Sequence, residues 1–258
     1  MSSATYLYCV VRAPGLLPLA GAPGGLPGCG PVRALDVGDG LWLVASDAPL
    51  PDYGGEEIER RLQDLSWVSD RALAHEAVVE HFSRSGTAVP LKLFTLFSSD
   101  ERALTHIRDD RERLERVLLR IEGCVEWGVR IHFDESRARE VLAAEARTGG
   151  DGHGTGTSFL VRKKMEKDAS RTLIARLRSG ADAAFDELSR PAAGAVRRDP
   201  TGPDGDRLLL DAAFLVPEAR AAEFEAAVER CAAHLGPQGC ELTLTGPWPP
   251  YNFVGEAP

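Results

Sequence analysis

Cys124-Val-Glu-Trp-Gly-Val-Arg-Ile-His-Phe133 decides the fold class. Val125, Trp127, Val129, Ile131 and Phe133 alternate with Glu126, Gly128, Arg130 and His132, a period of two that specifies a β-strand with one apolar and one wet face. Working outward toward the C-terminus, Leu173, Ile174, Leu177, Phe185 and Leu188 recur at helical spacing and predict a helix over about 170–189. A short strand near 195–198, the turn-rich run Pro200-Thr-Gly-Pro-Asp-Gly-Asp206 and a strand over 207–216 follow. Pro217-Glu218 then opens a helix to about Leu235, and a strand over 241–245 closes the series. Strand, helix, strand, strand, helix, strand is the split βαβ order, so residues 123–246 are expected to form a ferredoxin-like α+β domain, an antiparallel sheet with helices on one face. An insertion at about 135–168 interrupts it. It comprises a short Ala/Arg/Glu-rich helix at 136–147 and a Gly-rich segment at 148–157, which is expected to be mobile.

Outward in the other direction, the chain reads as a second, mixed α+β domain over 1–122. Residues 6–11 suit a strand, and the Gly/Pro-dense stretch from Pro14 to Pro31 excludes a helix there. Two strands at 32–37 and 41–46 are joined at Gly38-Asp-Gly40, whose Asp-Gly step supplies the positive φ of a hairpin turn. One or two helices are predicted over 56–82, with a break at Ser66–Ser69. Val89 to Ser98 is apolar on both alternate faces and predicts a central strand. A helix capped by Ser99-Asp100 places Leu104, Ile107, Leu114, Leu118 and Ile121 on one side, leaving its Arg and Asp/Glu run as a solvated face.

Composition narrows the function. At about 150 residues per domain, 258 residues favour two domains. With 43% hydrophobic and 27% charged residues there is material for a core in each half. The longest nearly unbroken apolar stretch, Leu208 to Val216, is far below the roughly 18 residues of a membrane span, and no basic residue precedes the short N-terminal apolar run. The expectation is an intracellular protein without a membrane role. Thirty basic against thirty-nine acidic side chains, a formal charge of −9, argue against nucleic acid. Five scattered cysteines without a C-x-x-C pair suggest neither a disulfide framework nor a cysteine zinc site.

No constellation converges on a reaction. His75 and His81 are six apart, where a helical zinc motif needs four, so packing histidines are the simpler reading. Gly149 to Gly156 lacks the Gly-Lys-Ser/Thr of a phosphate loop. Asp134, Asp204 and Asp206 occupy places at which a nucleotidyl-transfer palm holds cations, yet turn geometry explains acidic residues there more simply. Trp127 and Phe133 lie on the strand's apolar face, without the aromatic-basic pattern of an RNA-binding sheet, and Arg162-Lys-Lys164 is a small solvated cluster. No catalytic, metal or cofactor residue is therefore assigned. The candidate site is the end of the chain, 247–258, where Pro247, Pro249 and Pro250 stiffen a segment carrying Trp248, Tyr251 and Phe253. Two readings stand open for those aromatics: they plug the chain's own core, or they form a partner-docking edge.

Tyr6-Leu-Tyr-Cys-Val-Val11, Ala74-His-Glu-Ala-Val-Val79, Val89-Pro-Leu-Lys-Leu-Phe-Thr-Leu-Phe97, Val125-Glu-Trp-Gly-Val-Arg-Ile131 and Thr245-Gly-Pro-Trp-Pro-Pro-Tyr-Asn-Phe253 together resemble the gas vesicle protein F/L family (GvpF/GvpL), in the right order over nearly the whole chain. One departure stands out. Where members often read Pro-Leu-Lys/Arg-Phe-Gly-Thr-Val-Phe, this chain has Leu93-Phe94 in place of Phe-Gly. The resemblance implies two α+β domains and a non-enzymatic accessory or minor structural protein of gas vesicles, located at the vesicle in the cytoplasm. It implies assembly through contacts with the gas vesicle shell protein and other gas vesicle accessory proteins, with no cofactor. The alternative is a metal- or nucleotide-dependent enzyme or ligand-binding regulator built on the ferredoxin-like half, and self-association is a third reading.

Overall fold

The computed structural model describes residues 2–134, 136–137, 140, 158–198 and 207–255. The chain divides into two compact units, Met1–Val125 with Trp248–Pro258, and Glu126–Pro247. The C-terminal segment thus belongs to the N-terminal unit.

The first unit is built on a sheet of order β2-β3-β1-β4, with a fifth strand also paired to β1. Its strands are β1 (Ser3–Arg12), β2 (Arg33–Gly38), β3 (Leu41–Pro49), β4 (Thr87–Pro90) and β5 (Leu96–Phe97). β1 runs antiparallel to β3, β4 and β5, and β2 antiparallel to β3. The β2–β3 hairpin closes through Asp39 (φ 51°) and Gly40 (φ 75°), the two successive positive φ values that a twisted two-residue turn demands. Three helices, α1 (Leu50–Tyr53), α2 (Gly55–Arg61) and α3 (Leu65–Ser83), separate β3 from β4, and α4 (Asp100–Asp109) and α5 (Arg111–Ile121) follow β5.

Several expectations for this half are corrected. The helix break lies at 62–64 rather than 66–69, because the Asp64 side chain accepts the Trp67 N–H at 3.0 Å and starts α3 there. The helix expected from residue 99 onward is two helices meeting at Asp110, whose carboxylate binds the Arg113 Nε at 2.9 Å. The strand expected over 89–98 is neither continuous nor central. β4 is an edge strand, and residues 92–94 loop out between Leu91 and Thr95, which keep backbone hydrogen bonds to Tyr8 and Leu7 of β1, with Phe94 at φ 64°. Side-chain hydrophobicity does not report that turn, since Phe94 stays in contact with the core after the strand has ended.

The second unit carries a four-stranded sheet of order β7-β8-β6-β9, formed by β6 (Cys124–Phe133), β7 (Gly194–Arg197), β8 (Leu208–Pro217) and β9 (Cys240–Trp248). Helices α6 (Ser158–Ser189) and α7 (Ala221–Leu235) pack on β8 and on each other. α6 begins twelve residues before the expected 170. The expected helix at 136–147 and the Gly-rich 148–157 fall almost wholly outside the described residues, as do the 200–206 turn and Asp204 and Asp206.

β6 does not keep the predicted wet face. Glu126 is only 5% exposed and Gly128 is buried, leaving Arg130 as the solvent-facing residue of its middle. β6 sits between β8 and β9, with a hydrogen-bonded strand on either side. Thr245 of β9 lies so close to Gly128 that a Cβ there would meet its Oγ1 at 2.5 Å, so any larger residue would have to displace Thr245. The apolar face is as expected: Trp127, Val129 and Ile131 are buried, with Phe224 of α7 beside Trp127 at 6.1 Å. The two units together make a mixed α+β structure with antiparallel sheets.

Candidate functional site

The tail is positioned by proline, aromatic burial and arginine. Pro249 and Pro250 are buried after β9, and a single 3-10 turn, Tyr251–Phe253, brings the chain round. Phe253 is 5% exposed, and Tyr251 packs against the first unit's core cluster. Burial, reinforced by the neighbouring Glu76 carboxylate, pushes the Tyr251 phenol well above its ordinary value. The tail backbone is held from α5. Arg113 Nη1 donates to the Val254 carbonyl at 3.0 Å, and Arg120 Nη2 donates to the carbonyls of Phe253 and, at 3.1 Å, Gly255.

Of the three candidate aromatics, therefore, two anchor and one is displayed. Trp248 is 47% exposed, while Tyr251 and Phe253 fill their own unit. Arg113 and Arg120 were missed because they belong to the charge run read as a solvated face. Their heads reach backbone carbonyls more than 130 residues away, which periodicity within one helix does not encode. The same run supplies Arg108 to the Val37 carbonyl at 3.3 Å, Arg111 to Asp39 at 2.9 Å, and Glu115 to Arg12.

Under this lies a buried polar cluster. The Tyr6 hydroxyl and His75 Nδ1 are 2.7 Å apart, and the Tyr6 oxygen accepts the Phe94 N–H at 3.3 Å. The Tyr8 hydroxyl lies 3.0 Å from Ser46 Oγ and accepts the Leu26 N–H at 3.0 Å, tying the Gly/Pro-rich loop to β1. Tyr53 donates to the Pro27 carbonyl at 2.6 Å. Desolvation lowers His75 to about 4, with the Leu91 backbone offsetting it in part, so the imidazole is neutral at pH 7. Desolvation likewise raises Tyr6 and Tyr8. At pH 7 the phenols are thus protonated and the imidazole neutral, each within a hydrogen bond.

The remaining candidates do not come together. His75 bonds Tyr6, whereas His81 Nε2 lies 3.4 Å from the Pro18 carbonyl. Asp134 ends β6 as a turn cap: hydrogen bonds from the Ser136 hydroxyl and from the Arg137 and Ser136 N–H groups lower its carboxyl below the ordinary value. Among the described residues no three His, Cys, Asp or Glu side chains are grouped to hold a metal. Trp127 faces the core, so it offers no stacking platform. Arg162-Lys-Lys164 fall within α6, and Gly149 to Gly156 lie outside the described residues. No described helix is long and apolar enough to cross a membrane.

Comparison with known proteins places this architecture. The chain is 35% identical to gas vesicle protein L of Streptomyces sp. (strain CB03234), over 98% of this chain and 93% of that one. It is 30% identical to gas vesicle protein F of the same strain, over 97% and 99% of the two chains. Its fold is similar to the crystal structures of GvpF from Anabaena sp. PCC7120 (TM-score 0.71, 22% identity, 99% and 98% covered) and from Microcystis aeruginosa (TM-score 0.68, 19% identity, 98% and 99% covered). Residues 4–255 match the family model described as "Gas vesicle synthesis protein GvpL/GvpF". With sequence and fold agreeing over nearly its full length, the chain belongs to the GvpL/GvpF family of gas vesicle proteins.

Proposed function

We propose that this protein is a non-enzymatic factor in gas vesicle assembly, working through contacts with the shell protein and with other accessory proteins. The observation that carries the reading is the family match over residues 4–255, since the family's description names gas vesicle synthesis. The first unit is in keeping with it, because at pH 7 its buried phenols are protonated and His75 is neutral, and each is tied into a hydrogen bond of the core. We read the second unit as a ferredoxin-like domain, for which the strand order β7-β8-β6-β9 with helices α6 and α7 is the support. Its place of action is the gas vesicle in the cytoplasm.

Within this reading the docking edge is the tail, with Tyr251 and Phe253 as the anchor and Trp248 as the displayed ring. A shell subunit that forms an apolar surface exposes that surface before assembly, and a soluble acidic protein with a presented aromatic can cover it. The test is co-purification with the small shell protein after co-expression, wild type against Trp248→Ala. Trp248 is half in solvent, so its truncation leaves the fold intact. Capture by wild type and loss in the variant is the expected result. Equal capture by both moves the docking edge elsewhere, and capture by neither overturns the shell-contact reading.

A further inference from the structure

One cavity of the first unit holds a cation that the chain's own structure leaves incompletely answered. A cleft of about 260 Å³ is lined by Gly28 of the loop, Asp52 and Tyr53 of α1, Arg61 of α2, and Trp67 and Arg71 of α3. Trp67 is stacked on Phe94 at 5.3 Å and carries two guanidinium groups over its ring, Arg71 at 4.6 Å and Arg61 at 5.6 Å. A cation held against an aromatic face gives up part of its hydration. Arg61 is paired with Glu57. Arg71, with 17% of its side chain exposed, has the Tyr53 phenol beside it but no carboxylate nearer than Asp70. Its Nη1 reaches the Trp67 carbonyl only at 3.5 Å and the Asp70 carboxylate only at 4.0 Å, and its Nε is buried without a hydrogen-bond acceptor.

Those features select a ligand. A guanidinium presents five N–H donors in a planar fork, and with the Arg71 Nε shut off from solvent it is the two terminal nitrogens that a ligand can meet. Two coplanar oxygens on one carbon match that fork, and the resulting charge-assisted pair is bidentate. With Arg61 engaged by Glu57 and Asp52 in the lining, the cleft opposes a multiply charged phosphate and tolerates a single negative charge. The volume lies below the roughly 300–1,000 Å³ of sites for drug-sized ligands, so it suits one residue and excludes a dinucleotide.

We propose that this cleft binds a carboxylate borne by one residue of a polypeptide, at a chain end or on an acidic side chain, with Arg71 as the bidentate anchor and the Tyr53 and Trp67 rings flanking the ligand. The proposal follows from the chemistry of the cleft and stands apart from the gas vesicle role. It is tested on the full chain by titration calorimetry and tryptophan fluorescence, using four probes: acetyl-Gly-Gly-Phe as free acid, the same peptide amidated, acetyl-Gly-Asp-Gly amide, and inorganic phosphate. Saturable binding of a carboxylate peptide is expected. Preference for the free acid over its amide identifies a chain end, and preference for the Asp peptide identifies a side chain. Arg71→Lys, which keeps the charge and loses the fork, should weaken binding about tenfold. Asp52→Asn should strengthen it about threefold, a gain that misfolding does not produce. Three results overturn the proposal: no saturable binding of either carboxylate peptide, phosphate binding at least as tight as both, or unchanged affinity in an Arg71→Lys variant that melts with wild type.

Discussion

The two units bury different things. The first packs Tyr6, Tyr8 and Tyr53 with His75 and Ser46 beneath its sheet, so its core is threaded by hydrogen bonds. The second packs Trp127, Phe185, Phe214 and Phe224 with aliphatic residues from α6, α7 and the sheet, with Phe214 ringed by Phe185 at 5.5 Å and Phe224 at 5.4 Å. A dry core depends on filled volume, whereas a hydroxyl-bonded core depends also on protonation and on every donor finding an acceptor. The same chain therefore holds two kinds of stability, and each has its own way to fail.

The largest break belongs to the dry core. Phe214→Ala should destabilise the second unit by about 3–5 kcal/mol, with the same cost at pH 5 and pH 8, as read by denaturant unfolding followed through Trp127. A strongly pH-dependent cost would blur the contrast between the units. Acid should act on the first. His75 is near 4 in the folded state against 6.5 as an ordinary imidazole, so the unfolded chain binds the proton first. Its contribution is complete above pH 6.5 and is lost as pH falls toward 4, amounting to up to about 3 kcal/mol. His75→Gln, which does not titrate, should flatten that limb of a stability profile followed by amide exchange in β1.

Next comes a single hydroxyl. Tyr8→Phe removes the acceptor of the Leu26 N–H and the partner of Ser46, at about 1–3 kcal/mol, and faster amide exchange at Leu26 would report it. The smallest and sharpest contrast is at Phe94. Phe94→Ala and Phe94→Gly both lose the stacking on Trp67, but only alanine still bears a Cβ at φ 64°, so the glycine variant should be more stable by about 1 kcal/mol. Equal melting of the two variants would mean that the backbone there is unstrained.

Phe94 also shows why part of the fold was illegible in the sequence. Leu91 to Phe97 reads as one apolar run, and a turn built on positive φ at a phenylalanine lacks the Gly or Asn that usually marks it. The break at Asp110 was hidden likewise, because Leu104, Ile107, Leu114 and Leu118 keep helical spacing across it. The pattern from Val125 to Phe133, the Asp39-Gly40 turn and the Pro217 start of the next helical segment were readable because period and turn residues were explicit. At the tail, proline announced stiffness but not direction. The backbone of residues 253–255 is held by Arg113 and Arg120, residues more than 130 positions earlier. The Arg71 cleft was invisible for the same reason, since three helices and a loop assemble it.

The return of residues 248–255 to the first unit sets an order on biosynthesis. The whole of Glu126–Pro247 must leave the ribosome before Tyr251 exists to complete the core begun by β1. At about 5–20 residues per second that interval is roughly 6–25 s. During it the nascent first unit presents an unfilled groove beside Tyr6 and two arginines on α5 without the carbonyls they later hold. A chaperone that recognises this protein while it is being made has that window, and that surface, in which to act.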